Sequence, residues 1–141
     1  MDILSPTDFN AGIVEEFRNR GGHVSGPLAD VALILVHHIG ARSGKDRVVP
    51  LVHFAQPDGR LMIIASNGGS AGHPAWYHNL KANPKVTVEV GTESFQAVAK
   101  ELDGEERCLV WPRIIEESPA AAKFQSRTSR TIPVFTLTRE D

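Results

Sequence analysis

The first twenty residues show the apolar spacing of a helix that packs on a domain. Four apolar positions follow one another at spacings of four, one and three residues, namely Phe9, Ile13, Val14 and Phe17. Thr7 and Asp8 can cap this helix, and Gly21 with Gly22 can end it. The opposite face carries charges of both signs, so we predict a surface helix on the domain and not a basic helix lying on a membrane.

Beyond residue 30 the pattern changes to that of strands. Continuous or alternating apolar runs predict strands over residues 31–38, 48–55, 60–66, 85–90, 95–102 and 132–138. Pro50 indicates that the second strand lies at a sheet edge or contains a bulge. Pro74 is expected as the first residue of a short helix over residues 74–83. Asp103 is expected to cap the first of two helical stretches before the last strand.

These elements predict a mainly β, α+β fold: a barrel of about six largely antiparallel strands with short helices. Hairpin connections favour a barrel over a doubly wound sheet, because the long helical crossovers of a parallel sheet are missing. The sequence contains no repeat and no linker, so residues 1–141 are predicted to form one domain with the helix of residues 1–20 packed on it.

Composition narrows the function classes. The chain has 141 residues, of which 41% are hydrophobic and 23% charged, and its formal charge is −2. A nucleic-acid partner is not expected, because such proteins show a strong basic excess. The lone Cys108 offers no disulfide or redox pair, and no run of 18 apolar residues or export signal is present. We therefore expect a cytoplasmic protein without an integral membrane segment.

A basic loop between the first two predicted strands is the sharpest local signal. It contains Arg42, Ser43, Gly44, Lys45 and Arg47. Cations, a hydroxyl and a glycine amide can converge on phosphate oxygens, and arginine can bind them in bidentate fashion. The alternative is a solvated hairpin tip whose cations keep a sheet edge soluble. The loop is not a Walker motif, because it lacks the required spacing and the helix that should follow.

A glycine-rich loop that leads into an aromatic helix is the second candidate. The segment ASNGGSAGHPAWYHN runs from the end of a strand to residues Trp76, Tyr77 and Asn79. Small residues allow a flat ligand to approach the backbone closely, whereas the alternative is an ordinary turn followed by a core tryptophan. Together the two loops would suit a ligand with an anionic tail and a planar head.

Metal and serine-hydrolase chemistry are not expected. His37 and His38 are neighbours in a predicted strand, so their side chains point to opposite faces. The other histidines show no paired spacing, and therefore no metal is predicted. Ser43 and Ser66 lie outside any GxSxG motif.

At these residues the sequence resembles the deazaflavin-dependent nitroreductase family, the actinobacterial F420H2-dependent reductases of split β-barrel fold. The matching segments are GARSGKDRVVPLVHF, IIASNGGSAGHPAWYHNLKANPKVTVEV, GEERCLVWPRI and FQSRTSRTIPVFTL. They cover most of the chain from about residue 31 to its end. The combination of ASNGG with HPAWYHNLKANP is specific to the family, whereas the basic loop alone is not.

The resemblance implies a cofactor, coenzyme F420, and a set of residues that bind it. By analogy Arg42, Ser43, Gly44, Lys45 and Arg47 hold its phosphate and the start of its oligoglutamate tail. The residues expected to line the cofactor and its ring are Val48, Val49, Pro50, Leu51, Val52, Ile64, Ala65, Ser66, Asn67, Ala75, Trp76, Tyr77, His78 and Asn79. Lys81 is expected either to extend the positive groove or to stay on the surface.

The resemblance also implies the reaction: F420H2 delivers a hydride to a small organic acceptor, either an activated alkene or unsaturated lactone, a quinone or a nitro compound. The protein then mainly has to align ring and acceptor. Ser66 is the candidate catalytic residue, as a hydrogen-bond donor to the acceptor or a proton relay.

One departure from the family bears on the acceptor. Quinone- and nitroimidazole-reducing members have tyrosines in the helical segment before the last strand, where Ser118, Ala121 and Phe124 stand in this chain. We therefore expect an acceptor pocket with fewer hydrogen-bond donors. Two alternatives stay open at this point: an FMN-dependent oxidoreductase of the same barrel superfamily, and a non-catalytic F420 carrier. A homodimer is possible in each case.

Overall fold

The computed structural model describes residues 6–24 and 32–140. Within them lie four helices, α1 (Pro6–Asn19), α2 (Ala75–Ala82), α3 (Gly104–Glu117) and α4 (Pro119–Ser126). The strands are β1 (Leu33–Ile39), β2 (Asp46–Val52), β3 (Phe54–Ala55), β4 (Leu61–Ile64), β5 (Lys85–Val90), β6 (Glu93–Glu101) and β7 (Val134–Arg139). None of the helices in the described ranges is both long and apolar enough to cross a membrane.

All seven strands form one antiparallel sheet in the order β2-β1-β5-β6-β7-β4-β3. β2 and β3 are the two outer strands of that order, yet only His53 separates them in the chain. Because one residue cannot span an open sheet, the sheet must curl until its two edges lie side by side. The predicted largely antiparallel split barrel is thereby confirmed.

Three groups of buried side chains hold the barrel and its helices together. Strand residues such as Ile34 and Val36 fill the barrel interior together with Trp76 and Phe135. Ile114 and Ala121 bring α3 and α4 onto the sheet, and Phe17 joins α1 to the outer face of β1. Alternate residues of β1 thus serve two layers, since Ile34 and Val36 point inward whereas Leu33 and Leu35 contact α1.

An ion-pair cluster also attaches α1 to the sheet. The Arg18 guanidinium donates two hydrogen bonds to the Glu89 carboxylate, at 3.1 and 2.7 Å, and His37 Nε2 lies 2.6 Å from the same carboxylate. Chiefly through the hydrogen bond from Arg18, the pKa of Glu89 is held below its ordinary value. The Arg18–Glu89 pair therefore stays ionised at neutral pH and adds a polar attachment to the apolar contact of Phe17.

Several expectations from the sequence are met and others need correction. Pro50 lies in an outer strand, and the Asp103 side chain accepts a hydrogen bond from Glu106 N at 2.8 Å, as predicted. The N-terminal helix begins at Pro6, so Thr7 and Asp8 lie inside it and are not its caps. Pro74 is the N-cap of α2 and not its first helical residue, because its backbone is extended.

The strand count and some predicted ends also change. The strands number seven and not about six among the described residues, since the second predicted strand is interrupted at His53. β6 begins at Glu93, two residues before the predicted start, because the turn at Gly91 is tight. Val31, the predicted start of β1, and the first five residues of the chain lie outside the described ranges, so those parts of the predictions are not compared.

Substitution of Gly69 tests how tightly the loop after β4 packs on α4. It has φ +83°, and a Cβ there would lie 2.7 Å from the Phe124 carbonyl oxygen, whereas Gly59, at φ +93°, has open space around it. We expect Gly59→Ala to lower the free energy of unfolding by about 1 kcal/mol through its positive φ alone. Gly69→Ala should cost about 3 kcal/mol, because the clash with α4 is added. Chemical denaturation measures both, and equal losses would contradict the close packing.

Candidate functional site

A cavity of about 660 Å³ opens between α1, the β1–β2 hairpin and the start of α2. From the barrel it is lined by His38, Arg47, Val48, Val49, Ala75 and Trp76. Helix α1 closes the other side, with Glu15, Arg18 and Asn19 as its polar lining residues. The volume lies within the range of small-molecule sites, and the lining combines apolar walls with a few polar groups, as such sites require.

The register of the β1–β2 hairpin decides which side chains reach this cavity. His38 lies directly opposite Arg47, and Val36 lies opposite Val49. Side chains of directly paired residues lie on the same face, about 5 Å apart at Cβ. His38 and Arg47 are therefore neighbours at the cavity end of the hairpin, and Val49 continues the same face toward the barrel interior.

The tip of the basic loop is a hydrogen-bonded turn. Gly44 N donates to the Gly40 carbonyl and Gly40 N to the Lys45 carbonyl, both at 2.9 Å, and Lys45 N donates to Ser43 Oγ at 3.2 Å. Gly44 adopts φ 68°, which a side chain would disfavour. Ser43 and Gly44 thus shape the turn, and the side chains of Arg42 and Lys45 are exposed outside the cavity.

The cations of this loop form no ion pair within the part of the chain that the structure describes. Several other lysines and arginines are paired, for example Arg18 with Glu89 and Lys81 with Glu101. In contrast, no carboxylate of the described residues forms an ion pair with Arg42, Lys45 or Arg47. A cluster of like charges without partners costs free energy unless an anion joins it. The hairpin end is therefore suited to an anionic group.

Asn79 connects helix α2 to this hairpin. Its Oδ1 accepts a hydrogen bond from Ala41 N at 2.8 Å, and its Nδ2 lies 2.9 Å from His38 Nδ1. Because the backbone amide can only donate, Oδ1 is the acceptor and Nδ2 must donate to the imidazole. Both side chains are buried, at 7% and 5% exposure, so the pair is held in one arrangement.

This arrangement defines the state of the His38 ring. Burial, followed by the nearby charges of Arg47 and His37, lowers the pKa of His38 to about 4. The ring is therefore neutral at pH 7, and since Nδ1 accepts from Asn79, the single proton resides on Nε2. His38 thus presents one N–H donor, which no described residue accepts, on a ring that lines the cavity.

The strand end after β4 is organised by a residue that the sequence did not single out, Arg130. Its guanidinium donates to the carbonyl oxygens of Ala65 at 3.2 Å, Ser66 at 2.8 Å and Ser70 at 2.9 Å. It also lies 3.2 Å from His73 Nδ1. These contacts hold the predicted ring-lining segment Ile64, Ala65, Ser66 and Asn67 in a defined path. Ala65 packs in the same core cluster as Trp76.

The predicted residues of α2 divide between its two faces. Ala75 and Trp76 line the cavity, and Trp76 is buried against Phe135. Tyr77 instead donates from its hydroxyl to Glu101 at 3.0 Å and stacks on His73 with ring centres 4.1 Å apart, while His78 is exposed. Lys81 Nζ donates a hydrogen bond to Glu101 Oε1 at 2.8 Å, so Lys81 forms an ion pair at the surface.

The remaining predicted residues lie in packing positions. Pro50, Leu51 and Val52 are half-buried in β2, with Leu51 against the barrel interior. Ala121 is 1% exposed in the core beneath α3 and α4, so its side chain points away from any ligand. Ser118 separates these two helices, and Phe124 is half-buried beside Arg127.

Two polar residues of the site were not predicted from the sequence. His38 was considered only as a possible metal ligand, although the symmetry of the hairpin about the Arg42–Ser43 bond would have placed it opposite Arg47. Arg130 lay within the matched segment FQSRTSRTIPVFTL without a role, and no local signal could have shown that it bonds to carbonyls sixty or more residues away.

Comparisons with known proteins agree on one family. The model of the F420H(2)-dependent quinone reductase family matches residues 12–139. An F420H(2)-dependent quinone reductase of Mycobacterium tuberculosis is 41% identical over 110 residues, which are 75% of this chain and 72% of that protein. A solved F420-H2 dependent reductase, FDR-A, shares 42% identity at TM-score 0.67, covering 75% of this chain and 93% of that one. A structure described as a domain-swapped dimer shares 38% identity at TM-score 0.69, covering 94% and 99%.

Asn79→Leu should detach α2 from the hairpin. The exchange removes both hydrogen bonds and leaves the buried His38 Nδ1 without its donor, so we expect a loss of about 2 kcal/mol in the free energy of unfolding. Hydrogen exchange at the Ala41 amide should accelerate at the same time. Asn83→Ala, at the end of the same helix, is the control. Unchanged protection of the Ala41 amide in Asn79→Leu would contradict the described connection.

The low pKa of His38 predicts an acid-dependent loss of stability. Its folded pKa of about 4 lies below the ordinary value of 6.5, so the unfolded chain takes up a proton first as the pH falls between these values. Stability contributed by the neutral ring is therefore complete above pH 6.5 and is lost progressively toward pH 4. Between pH 7 and pH 5 we expect about 2 kcal/mol of additional loss relative to His38→Gln. Equal losses of stability in the wild type and in His38→Gln would contradict the lowered pKa of His38.

Proposed function

The chain belongs to the F420H(2)-dependent quinone reductase family, and we propose that its cavity binds reduced F420 with the phosphate at Arg47 and the deazaflavin ring beside Trp76. The observation that carries this proposal is the meeting of two separate sequence segments in one cavity: Arg47, Val48 and Val49 come from the hairpin, whereas Ala75 and Trp76 come from α2. A cationic end and an apolar end thus belong to one cavity.

The residues present fit the chemical parts of F420. The uncompensated cations of the basic loop suit its phosphate and oligoglutamate tail, because their charges need an anionic partner. Val48, Val49 and the Trp76 indole supply apolar surface for a planar ring. The polar groups of α1, Glu15 and Asn19, lie across the cavity and can contact a hydroxylated linker between the two parts.

The protein is an oxidoreductase, and when F420H2 is bound that cofactor supplies the hydride for a two-electron reduction of a small organic acceptor. The residues of the chain position the cofactor and exclude water from it. Trp76 and the valines exclude water from one face of the ring, and the Asn79 contacts keep the two cavity walls in a constant relation.

The acceptor is proposed to approach at the end of β4. The named relatives are quinone reductases, and we infer a quinone as the acceptor class here. Arg130 holds the Ser66 carbonyl at 2.8 Å, which leaves the Ser66 hydroxyl, half-buried at the turn, as the candidate donor to the developing negative charge on a quinone oxygen. Because Ser118, Ala121 and Phe124 stand where quinone-reducing members have tyrosines, the hydrogen-bond donor to the acceptor has to come from elsewhere in the site.

We further infer one domain, a homodimer and a cytoplasmic location. The domain-swapped dimer among the similar structures supports self-association of this fold. The curled sheet, whose chain returns from one edge to the other through one residue, supports a single folding unit. Light scattering of the purified chain tests the dimer directly.

Affinity measurements test the cofactor assignment. We expect micromolar binding of F420, followed by its fluorescence, and no comparable binding of FMN. Arg47→Ala should weaken F420 binding by about tenfold, because a charge-assisted contact inside the cavity is lost, whereas Lys45→Ala in the exposed turn should weaken it by less than about threefold. Tighter binding of FMN than of F420 would refute the cofactor assignment. Equal losses of F420 affinity in Arg47→Ala and Lys45→Ala would indicate that the phosphate binds at the tip of the loop and not at Arg47.

Turnover tests the acceptor. With F420H2 and a soluble quinone we expect reduction that Ser66→Ala slows by about tenfold or more in kcat while the Kd of F420 stays the same. Ser70→Ala, in the same loop, is the control. Binding of F420 without turnover of any quinone would favour a carrier protein.

A further inference from the structure

His38 has the geometry of a ligand-binding donor and not of a core histidine. One edge of its ring is occupied by Asn79, whose amide is itself oriented by the Ala41 backbone. The ring is 5% exposed and lines the cavity, and within the described chain no group accepts a hydrogen bond from Nε2. A ring donor that faces a cavity and has no acceptor in the protein is available to a ligand.

Arg47 faces the same point from the neighbouring strand. The two residues are directly paired in the β1–β2 ladder, so their side chains lie side by side at the cavity mouth. Arg47 has no carboxylate partner among the described residues. A guanidinium beside a neutral imidazole N–H offers donors for adjacent oxygens of one tetrahedral anion, without the repulsion that a second cation would add.

The other polar groups of the cavity are less suited to an anion. Arg18 already donates two hydrogen bonds to Glu89, and Glu15 repels negative charge. Ser43 accepts a hydrogen bond inside its turn and does not line the cavity. His38 and Arg47 therefore form the donor pair best placed for a phosphate.

We propose that the Nε2–H of His38 and the guanidinium of Arg47 together bind the phosphate of F420, with Asn79 acting as a positioning residue that keeps the His38 donor directed at the anion. This inference rests on the proposed function and makes it more specific. The phosphate lies at the cavity mouth, between the paired residues of the two strands. The exposed cations Arg42 and Lys45 are left to the glutamate tail.

Two substitutions of His38 distinguish the effect of losing the Nε2 donor from the effect of altered packing. His38→Asn places an amide oxygen near the position of Nδ1, which preserves an acceptor for Asn79 while it removes the Nε2 donor. His38→Gln extends an amide N–H to the position of Nε2. The control is His23→Asn, because His23 is an exposed histidine that does not line the cavity.

Each protein is titrated with F420 and with the deazaflavin fragment that ends at the ribityl chain and lacks phosphate and tail. We expect His38→Asn to weaken F420 binding by about tenfold and fragment binding by less than about twofold, with F420 binding largely restored in His38→Gln. His23→Asn should change neither. Equal weakening for F420 and the fragment, or no weakening for either, would overturn the proposal.

A second measurement does not depend on F420. Imidazole ¹⁵N spectra of the wild-type protein should show His38 protonated at Nε2 at pH 7, and added inorganic phosphate should shift that nitrogen. The shift should disappear in Arg47→Ala. If the chain bound no F420 but phosphate still shifted His38 in an Arg47-dependent way, the proposed cofactor would fail while the anion site stood. A proton on Nδ1, or no response to phosphate, would refute the anion site itself.

Discussion

The arrangement of the cavity depends on the hydrogen bonds of one buried amide. Asn79 joins helix α2 to the β1–β2 hairpin through Ala41 and His38, at 2.8 and 2.9 Å. The two elements are separated by nearly forty residues, and each contributes one wall of the cavity. An amide is suited to this task, because it can satisfy a backbone donor and a ring acceptor at once while it remains uncharged. A charged residue in its place would have to be desolvated.

Charge is unevenly distributed within the site. Burial, followed by the nearby charges of Arg47 and His37, lowers the pKa of His38, so the imidazole stays neutral and Arg47 is the cation at the hairpin side of the cavity. The cations at the hairpin tip face solvent, where they can attract an anionic ligand over a longer range but are screened by salt. α1 carries the only carboxylate that lines the described cavity, Glu15, on the wall opposite Arg47. The cavity is therefore more positive at the hairpin than at the helix.

The strands and their hairpins could be predicted from the sequence because they depend on local alternation and turns. KVTVEV has one buried face in the structure, and Pro50 stands in an outer strand, as its missing N–H requires. Glycine-rich and basic loops could be recognised from composition and resemblance. The division between Arg47, which lines the cavity, and Lys45, which does not, depends on the register of the hairpin. The hydrogen bonds of Asn79 and Arg130 join distant segments, and no window of sequence contains both partners.

The strand order determines when each part of the sheet can form during synthesis on the ribosome. β7, the last strand to be synthesised, lies between β6 and β4 and pairs with both. β4, made some seventy residues earlier, has only the two-residue β3 as another strand partner. The half of the barrel that includes the Ser66 turn must therefore wait until β7 has been synthesised. During that interval the β4 edge is open, so a β7 strand from a second nascent chain can pair with it as well.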